Sequence, residues 1–137
     1  MECGFKMNNE DLIKIAINAR ENAWVPISKF KVGAALLCEN GEVYGGCNIE
    51  DTSGIGVTNC CAERVAILKA VSDGNRDFVK IAVVGGTDKL IHATPCGVCR
   101  QYMNSYNPNL EVICYFEDGI IEYLLKDLLP EAFSEKF

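Results

Sequence analysis

The sequence predicts an α/β fold in which helices cover both faces of a central mixed sheet of about five strands, giving three α-β-α layers. Helical and strand-like patterns alternate along the chain, and an Asn-Gly turn joins two strand-like segments near its start. One later segment, residues 79–85, is apolar apart from Lys80, which is typical of a buried strand. The chain shows no repeat, linker or low-complexity run, so we expect a single domain over residues 1–137.

The first half of the chain is predicted to contain a helix, a β-hairpin, a loop and a second helix. These elements span residues 9–22, 30–38 with 42–48, 51–59 and 61–72, in that order. Apolar residues recur at helical spacing after the capping pair Asn8-Asn9, and Pro26 ends this first helix. Asn40-Gly41 is typical of a short hairpin turn, and Asp73-Gly74 indicates the end of the second helix.

The second half is predicted to add three strands and two helices. They span residues 79–85, 96–106, 110–116, 120–123 and 124–129, as strand, helix, strand, strand and helix. Apart from Lys80, residues 79–85 have the apolar character of a strand buried on both faces of a parallel sheet. Thr94-Pro95 precedes the helix and Pro108 follows it, while Asp118-Gly119 predicts a turn between the last two strands.

Composition and charge exclude several classes of protein. The chain carries 19 acidic residues against 13 Lys and Arg, a formal net charge of −6, and it has no basic patch. Because affinity for nucleic acid rests largely on clustered Lys and Arg, we expect no nucleic-acid partner. The longest apolar stretches, such as residues 32–38, are far shorter than the roughly 20 residues that span a bilayer, so we expect no membrane partner.

The cysteine content is high, with eight in 137 residues, and a secreted disulfide scaffold is the first explanation to test. Residues 1–9 lack the cationic and apolar pattern of a secretory signal. A chain of this length also builds a hydrophobic core without disulfides. We therefore expect a reducing, cytoplasmic environment in which the thiols bind metal or fill the interior.

Two cysteine motifs carry the strongest functional signal. They are residues 61–64 (Cys-Ala-Glu-Arg) and residues 95–99 (Pro-Cys-Gly-Val-Cys). Thiols spaced C-x-x-C reach one metal ion, and a helix start favours the thiolate form. A structural zinc takes four protein ligands, whereas three thiols leave one position for water, as in catalytic zinc sites. Glu63 beside that water is a natural proton carrier.

Other interpretations of these cysteines remain open from the residues alone. Cys96 and Cys99 could form a redox pair in a thiol-disulfide oxidoreductase. Cys60 could replace Cys61 as a ligand, or act as a fourth ligand in a non-catalytic zinc-stabilised module. The only histidine, His92, forms no His-x-Glu motif, and we interpret it as a surface residue.

Five segments together match one family in its order along the chain. They are residues 28–36 (SKFKVGAAL), 46–50 (GCNIE), 61–64 (CAER), 95–101 (PCGVCRQ) and 128–133 (LLPEAF). Two of them fit the zinc deaminase signature, in which a glutamate lies two residues after the first ligand and Pro-Cys-x-x-Cys follows. The chain thus resembles the small, homotetrameric cytidine deaminase family over nearly its full length, in the version with three cysteine ligands.

The resemblance implies a cofactor and a reaction. Cys61, Cys96 and Cys99 are expected to hold Zn²⁺, and Glu63 is expected to shuttle protons. Zinc-bound hydroxide then attacks C4 of cytidine or deoxycytidine, and hydrolysis yields uridine or deoxyuridine and ammonia, a reaction of pyrimidine salvage. Three thiolates give the site a net negative charge, and Arg64 occupies the position from which the family compensates it.

The resemblance also implies the substrate contacts and the assembly. The expected substrate-binding residues are Phe30 against the pyrimidine, Asn48 and Glu50 at the ribose hydroxyls, Ala62, and Phe133 from a neighbouring subunit. The expected partners are a small-molecule nucleoside and further copies of the chain, in a homotetramer with composite active sites. The charge of Glu50 would repel a 5′-phosphate, which favours nucleosides over nucleotides.

Two segments depart from the family pattern. The loop over residues 51–60 is longer than expected and lacks the usual aromatic residue, and Ile27 stands where tyrosine is common. Both segments bear on substrate contacts rather than on the cysteine motifs. They keep open a related aminopyrimidine or nucleoside-antibiotic deaminase that uses the same attack on its ring.

Overall fold

A mixed sheet of six strands forms the centre of the structure, a computed structural model that describes residues 7–117 and 119–135. The strands are β1 (Lys31–Cys38), β2 (Val43–Cys47), β3 (Phe78–Gly86), β4 (Leu90–Ile91), β5 (Glu111–Phe116) and β6 (Gly119–Leu124). The helices are α1 (Asn9–Arg20), α2 (Ala62–Ser72), α3 (Gly97–Asn104) and α4 (Leu125–Leu128), and a 3₁₀ turn spans Gly56–Thr58.

The strand order places β3 at the centre of the sheet. The order is β2-β1-β3-β5-β6, and β4 pairs with β3 beside this path. β3 is antiparallel to β1 and parallel to β5. The sheet is therefore mixed, and its central strand has one parallel neighbour rather than two. Residues 81–86 of β3 are buried, whereas Val79 and Lys80 of the predicted buried segment are only partly buried. The prediction of a central mixed sheet is confirmed.

Successive side chains along the strands point to opposite faces and build a separate core on each side of the sheet. On one face, Leu12 of α1 joins Ala35 of β1 in a buried cluster. On the other face, Leu36 of β1 lies in a cluster with Ile67 of α2 and Met103 of α3. The three-layer α-β-α prediction is therefore confirmed, and α2 and α3 share the second face.

The observed boundaries differ from the predicted ones mainly at the element ends and in the loops. The first and third helices end two residues early, at Arg20 and Asn104. The sequence prediction missed β4 and the 3₁₀ turn, which are too short to produce a periodic pattern. A Cβ at Gly86 would lie 1.9 Å from the Lys89 carbonyl oxygen, so this glycine permits the tight return into β4. Asp118 of the predicted turn lies outside the described residues.

The helices of the described residues are short, and the longest, α1, has 12 residues. Within residues 7–117 and 119–135, none combines the length and the apolarity needed to cross a bilayer.

Gly46 of β2 allows the first turn of α2 to approach the sheet. A Cβ at this position would lie 2.4 Å from the Ala62 carbonyl oxygen and 2.6 Å from the Ala66 nitrogen, both backbone atoms. We expect Gly46→Ala to lower the free energy of unfolding by about 1–3 kcal/mol, because the helix must shift. Urea unfolding measures this. Gly56→Ala is the control, since a Cβ there meets nothing within 4 Å, and an equal loss in both variants would contradict the argument.

Candidate metal and substrate site

The amino-terminal ends of α2 and α3 bring three cysteine thiols together. Cys61 and Cys96 are the residues that immediately precede the two helices, and neither side chain caps its helix. Cys99 lies one turn into α3 and is fully buried. The three Sγ atoms all lie within 4.8 Å of one another, and the Cys61 and Cys96 sulfurs are 3.8 Å apart. The sequence-predicted ligand set is therefore assembled in space.

The sulfur positions fit a tetrahedral zinc site. Zinc–sulfur bonds are about 2.3 Å long, so two sulfurs on one tetrahedral ion are separated by about 3.8 Å. In the described part of the chain, no fourth His, Cys, Asp or Glu side chain joins this group, and Cys60 lies outside it. His92 is exposed and bonds the Tyr123 hydroxyl at 3.0 Å, in line with its prediction as a surface residue. A donor set of three leaves one coordination position for water.

Arg64 lies beside the thiols and favours their negative charge. Its Nη2 atom is 3.8 Å from the Cys61 sulfur and donates to the Asn59 carbonyl oxygen at 3.0 Å. Its Nε atom is buried and has no acceptor among the described residues. Hydrogen bonds from Cys99 and Arg64 lower the pKa of the Cys61 thiol to about 5. A thiolate at Cys61 is the form that binds metal.

Glu63 brings a buried carboxyl group to the same place. It lies in the first turn of α2, and only 4% of its surface is exposed. Burial raises the pKa of Glu63 to about 7, because the apolar surroundings disfavour the charged form. A carboxyl group with a pKa near neutrality is suited to both accepting and releasing a proton.

A cavity of about 150 Å³ opens onto this cluster. Its lining residues are Phe30, Val32, Asn48, Cys61, Ala62, Glu63, Val83, Ala93, Thr94 and Cys96. The Phe30 ring packs over Gly85, where a Cβ would lie 3.0 Å from the ring's Cε2 atom. One apolar wall and one polar, sulfur-bearing wall therefore enclose a space large enough for a small flat ring.

The Asn48 side chain lines the cavity but is also bound to β1. Its Nδ2 donates to the Phe30 carbonyl oxygen at 2.9 Å, and its Oδ1 accepts from the Val32 amide at 2.8 Å. The amide therefore extends the pairing of β1 and fixes the backbone on both sides of Lys31. One Nδ2 hydrogen and one Oδ1 lone pair remain for a ligand.

Glu50 and Phe133 lie outside the lining of this cavity. Glu50 Oε1 accepts from the Ile27 and Ser28 amides at 2.9 and 3.1 Å, in the turn before Phe30. Hydrogen bonding, with Ser28 first, lowers the pKa of Glu50, so this carboxylate is charged. Phe133 is 69% exposed, and its carbonyl oxygen accepts from Gln101 Nε2 at 2.9 Å. Within one chain the structure does not bring these two residues to the thiols.

Several residues that line the cavity were not predicted from the sequence. Val83, Ala93 and Thr94 line the cavity, although only Thr94 was noted, as part of the loop before the third helix. Apolar residues on a strand and in a loop carry no chemical signal of their own. The available signal was position, since Ala93 and Thr94 directly precede Pro95 and Cys96.

A sequence profile described as the cytidine and deoxycytidylate deaminase zinc-binding region matches residues 6–115. The chain belongs to the cytidine deaminase family. The predicted family, the hydrolytic deaminase class and the Zn²⁺ cofactor are thereby confirmed. This membership also decides for the metal site and against the redox pair that the Cys96–Cys99 spacing had left open.

Relatives in this family cover nearly the whole chain. A cytidine deaminase from Halalkalibacterium halodurans is 48% identical over 130 residues, which are 93% of this chain and 96% of the relative. The crystal structure of a cytidine deaminase from Burkholderia pseudomallei matches with a TM-score of 0.83 at 42% identity, covering 93% of this chain and 100% of that one. A blasticidin-S deaminase from Bacillus cereus is 33% identical over 113 residues, 78% of this chain and 79% of the relative.

Proposed function

We propose that this single domain, residues 1–137, hydrolyses free cytidine and deoxycytidine to uridine and deoxyuridine with release of ammonia. The observation that carries the proposal is the shared cavity: a buried carboxyl group at Glu63 and the thiols of Cys61 and Cys96 line the same 150 Å³ space. A nucleophile formed at the thiols and a proton carrier at Glu63 would act on one ring held against Phe30. Pyrimidine salvage is the process to which we assign this activity.

Proton transfer is the role we assign to Glu63. Cys61, Cys96 and Cys99 would hold the zinc ion, which would supply an activated water as the nucleophile. Glu63 accepts the proton of the attacking water and delivers it to N3 of the ring, so that C4 becomes more electrophilic. It then takes the proton of the hydroxyl group added to C4 and gives it to the amine, so that the C4–N bond breaks, the C4 carbonyl forms and ammonia leaves.

Charge compensation is the role we assign to Arg64. Three thiolates together overcompensate a divalent cation, and a metal with too much negative charge is a poorer acid for its water. The positively charged Arg64 guanidinium lies 3.8 Å from the Cys61 sulfur and offsets part of the negative charge of the thiolates. The amide groups at the starts of α2 and α3 act in the same direction.

Substrate orientation is the role we assign to the remaining predicted residues. Phe30 and the backbone at Ala62 enclose the pyrimidine, since both line the cavity. Asn48 and the Glu50 carboxylate are the groups to which we assign the ribose hydroxyls. The Glu50 carboxylate would repel a 5′-phosphate, so nucleosides are favoured over nucleotides.

We further propose a homotetramer in the cytoplasm, with each active site completed by a neighbouring subunit. Large apolar side chains are exposed in the segments next to the cavity mouth, notably Trp24, Ile27 and Ile49. Phe133 is also exposed and lies outside the cavity of its own chain. A neighbouring copy covering these side chains would bury apolar surface and supply its Phe133 to the site.

A second candidate substrate is an aminopyrimidine nucleoside antibiotic. The similarity to a blasticidin-S deaminase over 78% of the chain favours it, together with the loop at residues 51–60 that lacks an aromatic residue. Residues 52–59 of this loop are exposed, so a larger substituent on the sugar would meet little resistance there.

A panel of substrates tests the proposal. We expect loss of ultraviolet absorbance with cytidine and deoxycytidine, and a kcat/KM at least about tenfold lower for cytidine monophosphate, equivalent to about 1.4 kcal/mol. Cytosine, which lacks the sugar contacts, is expected to react equally poorly. Faster turnover of blasticidin S than of cytidine would favour the second candidate, and turnover of none of these compounds would contradict both.

A further inference from the structure

Arg100 makes three hydrogen bonds that join separate parts of the chain. Its Nε donates to the Pro95 carbonyl oxygen at 2.7 Å, and its Nη2 donates to Thr94 Oγ1 at 3.0 Å. Its Nη1 donates to the Leu128 carbonyl oxygen at 2.7 Å, at the end of α4. One guanidinium thus links α3, the segment before α3 and the carboxyl-terminal turn.

The acceptors of Arg100 are close to the metal ligands in the covalent structure. The Pro95 carbonyl belongs to the peptide group that connects Pro95 to Cys96, so fixing this oxygen fixes the orientation of the backbone that enters Cys96. Thr94 is part of the cavity wall. The Arg100 backbone amide also donates to the Cys96 carbonyl oxygen at 2.9 Å. Arg100 therefore binds the peptide group before Cys96 and the peptide group after it.

The charge of Arg100 is not used in an ion pair with a carboxylate. Among residues 7–117 and 119–135, no carboxylate oxygen lies within 4.0 Å of its guanidinium nitrogens. All three bonds go to neutral oxygens, and hydrogen bonds from a charged donor are stronger than neutral ones. The planar fork reaches three acceptors in different directions, which a lysine ammonium at the end of a flexible stem does not reproduce.

We propose that Arg100 is a positioning residue for the metal site: it fixes the ligand Cys96 and the Thr94 wall of the cavity against the carboxyl-terminal turn at Leu128. The proposal rests on Cys96 being a metal ligand, as in the proposed function. If this is so, the positions of the three thiols depend on the carboxyl-terminal turn at Leu128 as well as on α2 and α3. The next residue, Gln101, binds the same carboxyl-terminal segment through the Phe133 carbonyl oxygen.

Cobalt substitution gives a test that does not depend on activity. Thiolate–Co²⁺ absorption bands report the coordination geometry, and transfer of the ion to a chelator reports how firmly it is held. For Arg100→Lys we expect shifted bands and about tenfold faster metal release. Changing a group that supports a metal ligand typically lowers metal affinity by about 10–100-fold, and this expectation is at the lower end of that range. With zinc bound, we expect kcat to fall more than KM rises, since the ligand geometry rather than the sugar contacts is altered.

Arg76→Lys is the matched control, because Arg76 is exposed in the turn between α2 and β3. Its bands, metal release and kinetics should equal those of the wild type. If Arg100→Lys lowers the unfolding temperature but leaves the bands and the release rate unchanged, Arg100 is merely structural and the proposal is wrong. If Arg100→Lys does not fold, Thr94→Val decides, because it removes one acceptor and preserves the side-chain shape: shifted bands support the proposal and unchanged bands overturn it.

These outcomes are independent of the substrate. A wild-type protein that binds Co²⁺ but deaminates no nucleoside would contradict the proposed function, while the Arg100 comparison could still be made on the absorption bands. A wild-type protein that deaminates cytidine, with an Arg100→Lys variant identical to it in bands, release and kinetics, would overturn only the role of Arg100.

Discussion

Replacing Glu63 with glutamine is expected to remove nearly all turnover while leaving zinc binding and the fold intact. Glutamine has the same shape, so the buried first turn of α2 is preserved, but an amide neither accepts nor delivers the proton that the reaction moves. General acid–base groups contribute about 10²–10⁴-fold, and we expect a loss of kcat in this range or above it. Steady-state kinetics, zinc content and thermal unfolding are measured on the same preparation.

Glu122→Gln is a suitable control for this variant, because Glu122 is an exposed glutamate on β6. It makes the same chemical change away from the thiols and should turn over cytidine normally. A Glu63→Gln protein with normal kcat would show that another group moves the proton. Inactive protein that has also lost its zinc would assign Glu63 to metal retention instead.

Replacing Cys61 with serine is expected to abolish both zinc binding and activity. The variant removes one of three thiols that lie within 4.8 Å of one another, and a neutral hydroxyl is a far weaker zinc ligand than a thiolate. We expect zinc affinity to fall by more than about a hundredfold, beyond the cost typical of changing a residue that only supports a ligand. Metal analysis after dialysis and a cytidine assay measure the two effects.

Cys60→Ser is the matched comparison, since it makes the same change one residue earlier. Cys60 lies outside the group of thiols, so this variant should keep its zinc and its activity. Loss of zinc from Cys60→Ser with retention by Cys61→Ser would reverse the ligand assignment. Loss from both would indicate a site with four thiols and no position for water.

The cysteine site was predictable from the sequence because local chemistry defines it. Cys61 and Cys96 each immediately precede a helix, and Glu63 lies two residues after Cys61 in the first turn of α2. The C-x-x-C spacing then places Cys99 one helical turn away. What the sequence could not supply is the distance between the two motifs, which depends on α2 and α3 packing on the same face of the sheet.

Contacts between distant polar side chains and backbone groups were not predictable in the same way. Asn48 bonds the β1 backbone on both sides of Lys31, and Glu50 bonds the amides of Ile27 and Ser28. The sequence Asn48-Ile49-Glu50 does not predict these hydrogen-bond partners. They depend on the path that the chain takes after β2 ends at Cys47. The same holds for Arg100, whose acceptor at Leu128 lies 28 residues further along the chain.

The two sulfurs that lie 3.8 Å apart belong to residues separated by 35 positions in the chain. An ion held by both would therefore cross-link α2 and α3, in addition to the packing of the two helices in one buried cluster. Because such an ion would bind the native chain more tightly than the extended one, it would stabilise the folded protein and slow its proteolysis.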